Sequence, residues 1–358
     1  MDCSCSMTKC EGCEKATKRV TGCLQTIGRA CWVVCLPPLP NLILNRAAFW
    51  PPTREYFFFE ETLDVMDKKN RLRTANKSSI GKKFIFGFEH PCYKPLKKKN
   101  IECFTVETRK KHYIACVRVK VENPRYTLLY SHPNGSDLSD HMNGVPSVME
   151  IARFLHCNIV IYDYSGYGIS SGSSNEKSLF ADIEAVYQHM ITKLDIKADK
   201  IIFYGYSIGT AASIALLTES QPPVAGAILL SPLTSMLRVL VWKRACFNTP
   251  FVRRRLCIDK FRSIEKMHLV TCPVLVCHGK DDIVVPIEHG QAVHDKAPNK
   301  VKPLWIPDAG HNNLENIKEV WVRVRDFINN ELTPATSQTT TPTQVTPLAD
   351  SKPTVLQA

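Results

Sequence analysis

No stretch of 18 or more consecutive apolar residues occurs in the 358-residue sequence, so no segment qualifies as a membrane-spanning helix. The N-terminus also lacks the continuous apolar core of a secretory signal, because Lys, Glu and Thr interrupt it throughout. Without that signal the 15 cysteines do not read as a disulfide scaffold, which belongs to oxidising compartments. No internal repeat is present, so a stacked repeat architecture need not be considered. Glycine is sparse, at 16 residues. Acidic side chains are outnumbered, 34 against 46 Lys and Arg, for a net charge of +12. No nucleic-acid-binding motif accompanies that charge, so the expected anionic partner is a membrane surface and not nucleic acid.

What is present is apolar material for a core, 44% of the chain, arranged in short runs. Tyr126–Ser131, Asn158–Tyr162, Ile201–Tyr204, Val224–Leu230, Pro273–Cys277 and Pro303–Ile306 read as buried strands. Between them Phe180, Ile183, Val186 and Tyr187 recur at helical spacing, and Thr210–Leu217 is rich in helix formers. Strand and helix alternating in this way predict an α/β fold with a mostly parallel central sheet and helices on both faces. One domain over residues 51–332 is expected. The segment 333–358, rich in Thr, Pro, Ser and Gln without periodicity, is expected to be disordered.

Gly205-Tyr206-Ser207-Ile208-Gly209 stands between one of those strands and the helix-forming stretch. At this glycine content the pattern G-x-S-x-G arises by chance in about one chain in twenty, so its setting carries the weight. A strand breaking sharply into a helix is the setting of a nucleophile elbow: glycines on either side let the two elements pass closely, and Ser207 is held above the sheet. The Ile208 backbone N–H then points where an oxyanion would form. The strand 273–277 runs into His278-Gly279-Lys280-Asp281-Asp282, which offers two carboxylates, and the strand 303–306 into Asp308-Ala309-Gly310-His311 just before a helix expected near Asn313. All these groups fall at strand ends in the chain order Ser, Asp, His, which a triad on this fold requires. Asn134, in the turn His132-Pro133-Asn134-Gly135 after another strand, is the candidate second oxyanion donor.

From about Trp32 to Leu332 the chain resembles the alpha/beta hydrolase domain-containing protein 17 family of membrane-associated serine hydrolases. The resemblance rests on Leu129-Tyr130-Ser131-His132, Cys157-Asn158-Ile159, Tyr162-Asp163-Tyr164-Ser165-Gly166-Tyr167-Gly168 and Ser207-Ile208-Gly209-Thr210. Ser231-Pro232-Leu233-Thr234-Ser235, Pro303-Leu304-Trp305 and Gly310-His311-Asn312 extend it. It implies an α/β-hydrolase fold, Ser207 as nucleophile, Asp282 as acid at the last position of an H-G-x-x-D segment, and His311 as base. It further implies removal of palmitoyl groups from cysteines of membrane-bound proteins, at the cytoplasmic face of cell and endosomal membranes, with no metal or organic cofactor. Three features depart from the family pattern: Pro133 where glycine is usual, Tyr206 inside the elbow, and a longer N-terminus.

Seven cysteines crowd the first 35 residues: Cys3, Cys5, Cys10, Cys13, Cys23, Cys31 and Cys35. Zinc binding by the first four lacks the usual paired spacing. Interspersed with Lys15, Lys18, Arg19 and Arg29 and with apolar Leu24, Ile27, Trp32, Val33 and Val34, they suit S-acylation, and residues 1–50 are expected to anchor the chain peripherally. The family resemblance points the same way. A second basic stretch, Met236–Lys266, reads either as a surface pressed on anionic headgroups or as a solvated helical cap. A lipid esterase with the same triad and a catalytically silent membrane adaptor remain the alternative functions.

Overall fold

A computed structural model describes residues 48–63, 67–219, 222–241 and 259–332. The seven N-terminal cysteines, the segment 333–358 and positions 242–258 of the basic stretch lie outside the described residues. Strands are β1 (Tyr56–Phe59), β2 (Ile85–Phe88), β3 (Ile101–Glu107), β4 (Tyr113–Val119), β5 (Thr127–Ser131), β6 (Asn158–Tyr162), β7 (Ile201–Tyr206), β8 (Gly226–Leu230), β9 (Val274–Gly279) and β10 (Leu304–Ile306). The α-helices are α1 (Leu138–Asn143), α2 (Val148–Leu155), α3 (Glu176–Thr192), α4 (Ile208–Glu219), α5 (Met236–Val241), α6 (Ser263–Lys266), α7 (Ile287–Lys296) and α8 (Lys318–Asp326).

Eight strands form one sheet in the order β10-β9-β8-β7-β5-β6-β4-β3. β5 to β10 run parallel, while β3 and β4 add an antiparallel edge, and β1 with β2 makes a separate two-stranded ribbon. Every residue of β5 to β9 is buried, as strands covered on both faces must be. The two-residue side-chain period divides the core. Tyr130, Tyr204 and Tyr206 join Leu155, Trp321 and Val324 on one face, whereas Leu129, Phe203 and Leu229 join Ile183, Val186 and Ile214 on the other.

Most strand ends shift from the sequence reading by one or two residues, and two shifts have a visible cause. The Val224 N–H is spent on a turn to the Pro222 carbonyl, so β8 begins at Gly226. After His311 the chain makes a 3-10 turn, Leu314–Asn316, and the helix starts only at Lys318, because the Asn313 side chain folds back to accept the Gly310 N–H. In the basic stretch, Lys260, Arg262 and Lys266 pair with Glu176, Glu265 and Glu219.

The strand order contains the feature that makes a site. From β5 the chain goes outward to β6, then returns through α3 to β7 on the other side of β5. Loops leaving the C-terminal ends of β5 and β7 therefore part in opposite directions, and such a switch point opens a crevice at the sheet's carboxyl edge. Ser207 leaves β7 there, and His132–Gly135 leaves β5 beside it.

Candidate active site

Ser207 is the residue between β7 and α4, with a φ of +52°, a backbone conformation that L-residues rarely adopt. Its N–H is tied to the Leu230 carbonyl at 2.9 Å. The two flanking glycines allow the turn. A Cβ on Gly205 would lie 2.7 Å from the Gly209 carbonyl oxygen, and one on Gly209 would lie 2.0 Å from the Ser131 carbonyl oxygen. The start of α4 thus packs directly on the end of β5, bringing the elbow against the loop that carries Asn134. Ile208 is the first residue of α4, where backbone N–H groups have no intrahelical acceptor and are available to an anion.

His311 Nε2 lies 2.8 Å from Ser207 Oγ, and His311 Nδ1 lies 2.7 Å from Asp282 Oδ2. The carboxylate accepts, so Nδ1 carries the proton and Nε2 is left to take that of Ser207. Asp281 is exposed, whereas Asp282 is buried on the histidine. The structure therefore brings Ser207, His311 and Asp282 into one hydrogen-bonded chain and leaves Asp281 outside it.

Asp282 is held from every side. Its Oδ1 accepts the N–H groups of Val284 at 3.0 Å and Val285 at 2.7 Å, and its Oδ2 accepts the Ser231 hydroxyl at 3.0 Å. His278 Nε2, which donates to the Val285 carbonyl at 2.8 Å, is also 3.2 Å from Oδ2. Burial alone would raise this carboxyl's pKa. Hydrogen bonds from His278, from His311 and from the Val285 N–H outweigh burial and keep it well below the usual carboxylate range.

Sequence reasoning assigned no role to Ser231, His278 or Tyr206. Ser231 and His278 sit at the ends of β8 and β9, and the four-residue spacing of His278 and Asp282 was the available signal. Tyr206 stood out only as a departure from the family pattern. In the structure its hydroxyl donates to the His311 carbonyl, while Tyr130 and Tyr204 donate to the Glu315 carboxylate, the latter at 2.7 Å. Three phenols on one face of β5 and β7 thus carry the loop that presents His311. Burial pushes the Glu315 pKa up, against the hydrogen bonds of the two tyrosines.

Among the described residues no group of three or more His, Cys, Asp or Glu side chains is placed to hold a metal ion, and no helix is long and apolar enough to cross a membrane. Among the described residues, the five buried cysteines are far from thiolate chemistry. Burial pushes Cys157, Cys272 and Cys277 up to about 12 and raises Cys103 and Cys116 further.

Comparison with known proteins decides the family. The chain is 34% identical over 310 residues to alpha/beta hydrolase domain-containing protein 17C of Xenopus laevis, covering 86% of this chain and 96% of the relative. It is 35% identical over 303 residues to the human protein 17B, covering 84% of this chain and 96% of that one. This chain belongs to the alpha/beta hydrolase domain-containing protein 17 family. The domain-containing protein aho-3 of Caenorhabditis elegans is 34% identical over 302 residues, covering 84% of this chain and 82% of its own. A model described as the prolyl oligopeptidase family matches residues 172–334, and one described as Chlamydia CHLPS protein (DUF818) matches residues 114–224. Among solved structures, an esterase of Pyrococcus furiosus superposes with a TM-score of 0.52 at 18% identity, over 64% of this chain and 91% of the esterase. That likeness shows the fold, the α/β-hydrolase fold expected from the sequence. Together, family and fold make this protein a hydrolase.

The loop after β5 ends in a titrating cap. Asp137 caps α1 by accepting the Ser139 N–H at 2.8 Å, while its other carboxylate oxygen is buried without a hydrogen-bond partner among the described residues. Burial, then the charge of Asp163, pushes its pKa up to about 7. An acid whose pKa is higher folded than unfolded binds more protons when folded, so its contribution favours folding at low pH and declines as pH rises from about 4 to about 7. Asp182, also buried and pushed up to about 7, acts in the same direction. The melting temperature should therefore fall between about pH 5 and about pH 7.5, and Asp137→Asn, which keeps the capping oxygen, should flatten the fall. Parallel curves for the two proteins would contradict the assignment.

Proposed function

We propose that this protein is a serine hydrolase that removes long-chain acyl groups from cysteines of membrane-bound proteins. The observation that carries the chemistry is the continuous hydrogen-bonded chain from Ser207 through His311 to Asp282 on a strained elbow. In this reading the Ser207 hydroxyl attacks the thioester carbonyl carbon while its proton passes to His311 Nε2. Asp282 stabilises the imidazolium, and the N–H groups of Ile208 and Asn134 receive the negative oxygen. Collapse breaks the C–S bond, the thiol leaves with the proton from His311, and the acyl group stays on Ser207. Water, deprotonated by the same His311, then releases the fatty acid.

Support for a lipid-linked substrate comes from the rim and from the sequence. Ile283 and Val284, immediately after the acid, are 79% and 46% exposed, and Trp50 beside the Asn134 loop is 59% exposed. Large apolar side chains left in water near a site suit a long acyl chain. The family resemblance points to the same substrate class. Purified protein should turn over a palmitoyl-cysteine peptide in preference to a glycerolipid ester. The reverse preference would favour the lipid esterase instead, and an inert protein that no fluorophosphonate labels would favour the silent adaptor.

The cytoplasmic face of cell and endosomal membranes is the proposed location, with S-acylated Cys3, Cys5, Cys10, Cys13, Cys23, Cys31 and Cys35 as the anchor and anionic lipids as the surface it meets. One acyl chain gives only marginal membrane residence. Replacing all seven cysteines with serine should move the protein from the membrane to the soluble fraction, with graded effects for single replacements. An all-serine protein that stays on membranes through a salt wash would place the anchor elsewhere.

A further inference from the structure

Asn134 does more with its side chain than a turn residue needs. Its Nδ2 donates to the Ala48 carbonyl at 2.9 Å, and its Oδ1 accepts the Trp50 N–H at 2.9 Å and the Gly135 N–H at 3.1 Å. The Tyr167 hydroxyl donates to the same oxygen at 2.6 Å, and the Trp50 N–H lies 3.1 Å from that hydroxyl. Both ends of one amide are therefore bonded to a segment 84 to 86 residues away in sequence. The segment is itself fixed: Ala48 and Phe49 are buried, and the Phe49 ring meets Phe261 edge-on at 5.8 Å.

The loop being held is the one that needs holding. Pro133 contributes no N–H and has a fixed φ, so the backbone at this turn has fewer hydrogen bonds of its own with which to set the Asn134 N–H. The Ser131 and His132 carbonyls lie against Gly209, which puts the same loop at the start of the nucleophile's helix. An oxyanion donor is effective only when fixed before the charge develops, and a displacement of about 1 Å costs on the order of a hundredfold in rate.

We propose that Ala48–Trp50 is a positioning clasp for the oxyanion hole, acting through the Asn134 side chain on the Asn134 backbone N–H. This rests on the reading of Asn134 as the second oxyanion donor. Tyr167 completes the clasp by sharing the Asn134 oxygen and lying against the Trp50 amide. The three residues from Ala48 to Trp50 thereby become part of the hydrolytic site, not simply the chain that leads into it.

The test compares two full-length variants at one position, assayed on a soluble short-chain nitrophenyl ester. Trp50→Pro removes the backbone N–H, and Trp50→Ala keeps it while losing only the indole. Relative to Trp50→Ala, Trp50→Pro should lower kcat by about tenfold to a hundredfold with KM within about twofold and the melting temperature preserved. Asn134→Leu should behave like Trp50→Pro. Asn134→Asp, which can still accept from Trp50, Gly135 and Tyr167, should recover part of the loss. Equal kcat for the two Trp50 variants, or a loss confined to KM, would overturn the clasp. If Trp50→Pro does not fold, the Asn134 pair decides: equal kcat for Asn134→Leu and Asn134→Asp overturns it. A wild-type protein inert toward the ester would instead sink the hydrolase reading, so the two failures are distinguishable.

Discussion

Ser207→Ala is expected to lower kcat/KM toward acyl thioesters by about four to six orders of magnitude and to abolish fluorophosphonate labelling. Neighbouring serine hydroxyls at the strand ends are already engaged: that of Ser231, just past β8, donates to Asp282, and that of Ser131 is buried against the Tyr162 hydroxyl. The cost in stability should be small. Alanine meets the same positive φ as serine, and the hydroxyl removed makes its side-chain contact with His311. Thermal melting of the variant should stay within about 1 kcal/mol of wild type, so lost activity cannot be charged to unfolding. Wild-type turnover in Ser207→Ala would end the serine-nucleophile reading.

Asp282→Asn should lower kcat by about four orders of magnitude, whereas Asp281→Asn should change it by less than about threefold. The reason lies in the proton on His311 Nδ1. A carboxylate at 282 can only accept it, but an asparagine can present its own N–H and turn the ring to the tautomer that cannot receive the Ser207 proton. Asp282→Asn should also cost stability, because the Val284, Val285, Ser231 and His278 donors now converge on a neutral amide. As a carboxyl with a depressed folded pKa, Asp282 contributes stability above the unfolded value of about 4 and loses it as pH falls through its lower folded value. Melting curves should show that acid-side loss in wild type and not in Asp282→Asn. Equal losses of activity in the two aspartate variants would mean that the carboxylates share the role.

The parallel strands β5 to β9 were legible because each is buried on both faces and so must be a continuous apolar run, as Ile201–Tyr204 and Val274–Cys277 are. The elbow was legible because the turn is made by residues adjacent in sequence. His278 and Tyr206 were not. Each acts through a partner on another element, and local periodicity says which face a side chain takes without saying which distant loop comes to meet it. Tyr206 lies on the same face of β7 as Tyr204, as the pattern requires, but its use depends on the His311 carbonyl arriving 105 residues later.

The sequence by itself determined the strand-helix alternation, the G-x-S-x-G turn and the order of serine, carboxylate and histidine, since all of these follow from local spacing and turn chemistry. Only the tertiary structure decided how those pieces are joined. The placing of β5 between β6 and β7 opened the crevice, the convergence of β8 and β9 assembled the donors around Asp282, and the docking of Ala48–Trp50 on Asn134 tied the segment before β1 to the loop after β5. Each of these is a contact between residues far apart in the chain. Its free energy is released only when the whole sheet has closed, so no local stretch of sequence can announce it.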